Sequence, residues 1–199
     1  ETFETIPPSP YGMSKLMAEK VIEDCAKAYG FNAIALRYFN ACGADKEVRH
    51  GQVKSATHLI AKVMNALINK EVFTLNGIDY NTPDGTCVRD YLHVEDIAKA
   101  HRVAYELGKT FKPGQFDYFN LGTGKGYSIK EIISTIERHT NKQLLVHKGP
   151  RRPGDPGRLV ASSKKIESTA GWKADNSSLD NIIRTSWAWY NSQRFKDYA

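Results

Sequence analysis

The sequence predicts an α/β protein on three observations. Segments with apolar residues at helical period alternate along the chain with short runs of strand-forming residues. One of those runs, residues 33–40, is apolar on both parities until Arg37, as in a strand buried on both faces of a parallel sheet. The composition, 41% hydrophobic and 25% charged over 199 residues, supports a sizeable core and excludes disorder as a global description. At roughly 150 residues per domain, this length fits one domain, or one and part of another.

The elements follow in order. Ser9 is placed to cap a first helix, with Pro10 at the position where a missing N–H is harmless. Ala18, Val21, Ile22, Cys25, Ala26 and Tyr29 form one apolar stripe at helical spacing, with Lys20, Glu23 and Lys27 opposite, and Gly30 closes the helix. After the strand at 33–40, a loop rich in glycine and charge (43–52) leads to a helix over about 57–69. Residues 73–75 read as a short strand broken by Asn76-Gly77, and the polar stretch 78–86 carries Pro83-Asp84-Gly85, the residue types of a turn. Val94, Ile97, Ala98, Ala100, Val103, Ala104 and Leu107 mark another helix, which Gly108 closes. Residues 116–121 read as a strand, and Ser128 with Glu131 opens a helix through about His139 as a capping box. A strand at 144–147 and helical stretches near 164–169 and 179–193 complete the pattern, without internal repeats.

Several classes are excluded. The charge of +6, from 28 Lys and Arg against 22 Asp and Glu, is scattered, and only 148–152 is dense, so no nucleic-acid partner is expected. No apolar run approaches the roughly 18 residues of a membrane span, so no membrane association is expected. The first residues carry no basic-then-apolar signal and no Met, and the chain is expected to be a piece of a longer protein. Cys25, Cys42 and Cys87 are odd in number, without a CxxC pair or a His at metal spacing, so neither a disulfide framework nor a metal site is expected; the chain reads as reduced and cytoplasmic.

Four constellations could carry chemistry. Tyr11 and Lys15 share one helix face, one turn apart, where an ammonium beside a phenol favours the phenolate needed for acid/base work. About one such pair arises by chance in a chain with this many Tyr and Lys, so spacing alone leaves a surface pair and a catalytic pair both open. A second pair, Tyr105 and Lys109, is expected to be separated by Gly108. Gly122, Gly124 and Gly126 follow a strand and precede a helix, but the G-x-G-x-G spacing and the lack of a later acidic partner point to a structural turn rather than a dinucleotide site. Arg89-Asp90-Tyr91 and Arg151-Arg152-Pro-Gly-Asp155 offer guanidinium forks that match phosphate oxygens; a solvated basic loop is the competing reading. The six His fit no metal or triad pattern.

Ser9-Pro-Tyr11-Gly-Met-Ser-Lys15 resembles the active-site helix of extended short-chain dehydrogenases/reductases that act on nucleotide sugars, and Leu36-Arg-Tyr-Phe-Asn40 resembles the strand that follows it. The stretch Asp79-Tyr-Asn-Thr-Pro-Asp-Gly-Thr-Cys-Val-Arg89-Asp-Tyr91-Leu-His-Val-Glu-Asp96 resembles the UDP-glucose 4-epimerases within that family. Asn120-Leu-Gly-Thr-Gly-Lys-Gly-Tyr-Ser128 and Arg151-Arg-Pro-Gly-Asp155 complete the pattern in order. The resemblance covers almost the whole chain and favours the catalytic reading of Tyr11.

The resemblance implies the C-terminal three-fifths of such an enzyme: the last Rossmann strands and helices plus a small α/β substrate domain, without the Gly-rich turn and the catalytic Ser or Thr of the N-terminal half. It divides the chain into a Rossmann remainder (1–45) and a mainly UDP-sugar-binding part (46–199), with 88–125 returning to the Rossmann sheet. It implies an NAD cofactor, a homodimer, and a role in galactose metabolism as an isomerase that interconverts UDP-glucose and UDP-galactose through a 4-keto sugar, the piece alone being inactive. Tyr11 would take the proton of the sugar 4-hydroxyl, Lys15 would bond the nicotinamide ribose, and Tyr38 and Phe39 would lie near the nicotinamide. Asn40, His58, Leu59, Thr74, Leu75, Asn76, Arg89, Tyr91, Arg152 and Asp155 would contact the UDP-sugar, and Leu159 would border the sugar 2-substituent. Alternatives are another nucleotide-sugar epimerase, a 4,6-dehydratase, or a non-catalytic UDP-sugar-binding fragment.

Overall fold

Three parallel strand pairs, each joined through helices, organise the computed structural model, which describes residues 1, 4–7, 9–53, 55 and 57–197. In chain order the elements are α1 (Pro10–Tyr29), β1 (Ala33–Tyr38), β2 (Asn40–Cys42), α2 (Leu59–Asn69), β3 (Val72–Asn76), β4 (Val88–His93), α3 (Val94–Gly108), β5 (Phe116–Leu121), β6 (Gly126–Ser128), α4 (Ile129–Thr140), β7 (Leu145–Gly149), β8 (Arg158–Leu159), α5 (Lys164–Ala170), α6 (Leu179–Tyr190) and α7 (Gln193–Asp197). β1 pairs with β5, β2 with β4, and β3 with β7, all in parallel; β4 also pairs with β6 in antiparallel and with β8 in parallel.

The expected helix ends are present. Ser9 Oγ accepts from the Gly12 N–H at 3.2 Å, and Gly30 caps α1 in the left-handed region. Ser128 and Glu131 form the reciprocal capping box of α4. The helix expected over 179–193 instead breaks at Asn191 and Ser192, and Ser192 Oγ accepts from the Phe195 N–H at 3.1 Å to start α7.

Other expectations change. The apolar stripe of α1 faces solvent: Val21 is 61% and Tyr29 79% exposed, and of the helix only Ala26 is buried. What α1 turns toward β1 is Glu19, whose Oε1 accepts from Arg37 Nε at 2.7 Å. Strand β1 is accordingly half-buried rather than covered on both faces. Period identifies an apolar face; it does not supply the element that covers it. Strands β2, β4, β6 and β8 carry no alternating signature. β4 is buried along most of its length although it holds Arg89, Asp90 and His93, because each of these polar side chains has a bonding partner.

Two apolar cores result. One gathers α2, β3, α4, α6 and α7 around Met64, Leu75, Ile136, Ile183 and Trp189. The other packs α3, β5 and α5 around Leu92, Phe119, Leu121, Ile166 and Trp172. β4 contributes to both, Tyr91 to the first and Leu92 to the second, as alternation along a strand requires.

His93, fully buried at the end of β4, joins these layers. Its Nδ1 accepts from the Glu95 N–H at 3.2 Å and its Nε2 meets Thr185 Oγ1 of α6 at 3.0 Å. Gly43 is required here: its φ is +80°, and a Cβ would lie 2.4 Å from the imidazole Cδ2. Burial holds His93 below its ordinary pKa of 6.5, against the opposing pull of Glu95 and Asp96. The unfolded chain therefore binds this proton more readily, so the stability His93 contributes is present above pH 6.5 and is lost as pH falls. Thermal unfolding at about pH 7.5 and about pH 5.5 is expected to show a lower midpoint in acid, a slope that His93→Gln flattens; an unchanged slope in the variant would assign it to other groups.

Among the described residues no helix is long and apolar enough to cross a membrane, and no group of three or more His, Cys, Asp and Glu could hold a metal ion. The three cysteines are free thiols.

Candidate functional site

Alternation along β4 aims Arg89 and Tyr91 at one side, into a cavity of about 530 Å³. Other segments complete its wall: Asn40 of β2, His58 and Leu59 at the N-terminal end of α2, Thr74 and Asn76 of β3, and Arg152 and Asp155 from the loop between β7 and β8. These positions are scattered from 40 to 155 in the chain, and parallel pairing of β2 with β4 and of β3 with β7 brings their strand ends together.

The polar groups are preorganised. Arg89 donates to Asp155 across the cavity wall and, at 2.8 Å, to the Val88 carbonyl. The Asn76 carboxamide presents Oδ1 to Arg152, accepting from Nη2 at 3.1 Å and Nε at 3.2 Å. Asn40 Nδ2 donates to the Asp90 carbonyl at 2.8 Å, and His58 Nδ1 lies 3.0 Å from Gln52 Nε2. The two arginines of the 151–152 pair separate. Arg151 Nε donates to Asp79 at 2.7 Å, with its guanidinium 4.4 Å from the centre of the Tyr80 ring, and only Arg152 lines the cavity. Burial pushes the Tyr80 hydroxyl up to about 12, and burial raises the Tyr91 hydroxyl and the Cys42 thiol as well. Two guanidinium forks beside the N-terminal end of a helix suit an anion with several oxygens.

Several expected positions lie elsewhere. Leu75 is 3% exposed and belongs to the core, on the face of β3 opposite Thr74 and Asn76, which line the cavity. Leu159 is 45% exposed on β8, in register with Arg89, and does not line the cavity. Tyr38 lines a separate groove with Ile34, Leu36, His101 and Tyr105, and Phe39 sits half-buried between β1 and β2. Tyr11 and Lys15 also lie outside the cavity wall; Tyr11 is 73% exposed, with Lys15 Nζ 5.2 Å from the centre of its ring. The expected separation of Tyr105 from Lys109 does not occur. Gly108 ends α3 and Lys109 keeps a right-handed conformation (φ −67°), which brings its Nζ 4.4 Å from the Tyr105 ring centre.

Lys62, Glu71, Phe73, Cys87 and Ile129 also line the cavity and were not singled out by sequence. For Lys62 a signal exists, since it stands one helical turn after His58. For the others only the fold supplies it. The glycine-rich turn after β5 has no free N–H for a ligand phosphate at Thr123 or Gly124, which donate to the Asp90 carboxylate at 3.1 and 3.3 Å. That turn therefore offers no cradle for a dinucleotide pyrophosphate at Thr123 and Gly124.

Residues 1–122 match the model of the NAD dependent epimerase/dehydratase family. The chain is 44% identical over 192 residues to the UDP-glucose 4-epimerase of Halalkalibacterium halodurans, covering 96% of this chain and 57% of that protein. It is 41% identical over 194 residues to that of Azospirillum brasilense, covering 96% and 55%. The fold is similar to the crystal structure of UDP-glucose 4-epimerase from Brucella ovis in complex with NAD (TM-score 0.86, 43% identity, 92% of this chain and 57% of that one). It is also similar to that of the Stenotrophomonas maltophila enzyme with bound NAD and formylated UDP-arabinopyranose (TM-score 0.90, 32% identity, 100% and 59%). The chain thus spans between 55% and 57% of the length of those two sequence relatives. With an α/β fold of this topology and a family match over more than half its residues, the chain belongs to the NAD dependent epimerase/dehydratase family.

Proposed function

We propose that the chain is the substrate-binding and Tyr-Lys portion of an NAD-dependent UDP-glucose 4-epimerase, acting as a homodimer on UDP-glucose and UDP-galactose. One observation carries the reading: Asn40, His58, Leu59, Thr74, Asn76, Arg89, Tyr91, Arg152 and Asp155, far apart in sequence, line a single cavity with two guanidinium forks on its wall. The relatives' names and the NAD bound in the neighbouring crystal structures support it.

In this reading residues 1–45 and 88–125 belong with a Rossmann domain, and most of the remainder forms the UDP-sugar domain. Arg89 and Arg152 hold the diphosphate, joined by the N–H groups at the start of α2 near His58 and Leu59. Thr74 and Asn76, with the backbone at Leu75, border the nucleoside, and Asn40 and Tyr91 the sugar. Bound NAD supplies the hydride acceptor. Tyr11 takes the proton from the sugar 4-hydroxyl and returns it after the 4-keto sugar has turned over in the pocket. Lys15 would hold the nicotinamide ribose of a bound NAD, and Tyr38 and Phe39 would be the residues beside its nicotinamide.

Calorimetry with UDP-glucose tests the cavity. Arg89→Ala and Arg152→Ala are each expected to weaken binding by roughly tenfold to a hundredfold, the loss of a charge-assisted hydrogen bond. For Arg89 the change also leaves the Asp155 carboxylate unpaired beside the phosphates. Equal affinity in wild type and both variants would remove the arginines from the site.

A further inference from the structure

Asp90 lies between Arg89 and Tyr91 on the opposite face of β4, and it is fully buried at 0% exposure. A carboxylate in such surroundings persists only when its oxygens are bonded. This one accepts from the Thr123 N–H at 3.1 Å to each oxygen, from Thr123 Oγ1 at 2.7 Å, from the Gly124 N–H at 3.3 Å and from the Ala161 N–H at 3.2 Å. Its backbone carbonyl accepts from Asn40 Nδ2 at 2.8 Å. Gly122 is glycine for the same reason, since a Cβ there would meet Asp90 Oδ2 at 2.7 Å and the Ala161 Cβ at 2.4 Å.

These bonds reach both sides of the cavity. On one side Asp90 is continuous with Arg89 and anchors Asn40, both of which line it. On the other side Ala161 follows β8, which pairs with β4 at Val88 and Arg89, and the loop entering β8 carries Arg152 and Asp155. The far end of that loop is tied to β3 through the Asn76 and Gly149 register. The spacing of the two arginines is thus tied to β3–β7 pairing at one end and to β4, β8, the Asp90 carboxylate and the Arg89–Asp155 ion pair at the other.

We propose that Asp90 is the positioning residue of the anion clamp, holding Arg89 and Asn40 on one wall and the Arg152–Asp155 loop on the other at the spacing a nucleoside diphosphate requires; this rests on the UDP-sugar reading of the cavity. Asp96 supplies the control. It is equally buried at 0%, and it accepts from the Asn176 N–H and Nδ2 at 2.9 Å and from Ser177 Oγ at 2.6 Å. None of its partners lines the cavity.

The test measures UDP-glucose affinity by calorimetry for wild type, Asp90→Asn and Asp96→Asn at a temperature where circular dichroism shows all three folded. The Nε–H resonance of Arg89 is followed by NMR without ligand. Asp90→Asn is expected to lose at least about tenfold in affinity and to shift the Arg89 resonance, whereas Asp96→Asn loses stability and stays within about twofold in affinity. Thr123→Val, which keeps its N–H and removes one donor to Asp90, is the milder variant if Asp90→Asn does not fold, and a several-fold loss is expected. Unchanged affinity in the folded variant, or an equal loss in Asp96→Asn, overturns the positioning role while leaving the cavity reading intact. Absence of UDP-glucose binding by the wild type overturns the cavity reading and this proposal with it.

Discussion

Replacing Tyr11 by Phe in the complete enzyme is expected to lower kcat by at least about a hundredfold, the lower range of what a positioned acid/base contributes. The change removes one hydroxyl and nothing else. Tyr11 is 73% exposed in the first turn of α1, so its loss leaves no buried partner unsatisfied and stability is expected to hold. UDP-glucose affinity is expected to change little, because Arg89 and Arg152 on the cavity wall, not the Tyr11 hydroxyl, hold the diphosphate in this reading. Tyr105→Phe is the matched control. It carries the same Tyr-x-x-x-Lys spacing and a similar lysine-over-ring contact, 4.4 Å against 5.2 Å for Lys15 over Tyr11, yet it stands on α3 outside the family's motif. Loss of activity in Tyr11→Phe with none in Tyr105→Phe assigns the chemistry to position 11. A change below about tenfold in Tyr11→Phe, with folding intact, would withdraw the assignment.

The second large effect is an absence of turnover. The 199-residue chain by itself is expected to bind UDP-glucose and to show no interconversion with UDP-galactose, even with added NAD. Pyrophosphate binding calls for backbone N–H groups left free at a glycine-rich turn before a helix. In the turn that comes nearest to this pattern, Thr123 and Gly124 give their N–H groups to Asp90. Without a held cofactor, Tyr11 has a proton to move and no hydride acceptor beside it. Purified chain that converts UDP-galactose in an NAD-dependent manner refutes this reading; binding without conversion is the expected result.

Much of this was legible in the residues. Ser9, Gly30 and Ser128 with Glu131 marked helix ends because capping is local chemistry, decided by side chains within a few positions. The α/β class followed from period and from the run at 33–40. The motifs at Tyr11, Arg89 and Arg152 named positions that the fold then sorts. The sorting was not legible. Arg151 and Arg152 are neighbours with the same side chain, yet one turns to Asp79 and Tyr80 and the other to the cavity. Leu75 sits in the core and Thr74 in the wall because β3 alternates, and its inward face is settled by what packs there.

By itself the sequence determined the class of the fold, the helix caps and the chemical types gathered for an anion. Only the tertiary structure decided which side chains share a space. β4 shows why: Arg89, Asp90 and His93 carry no strand pattern in the sequence, and each is bonded to a partner distant in the chain, namely Asp155, Thr123 with Ala161, and Thr185. A buried polar group is stable only when its bond is made, and residues brought together from 33 to 92 positions away by strand pairing and helix packing make these bonds.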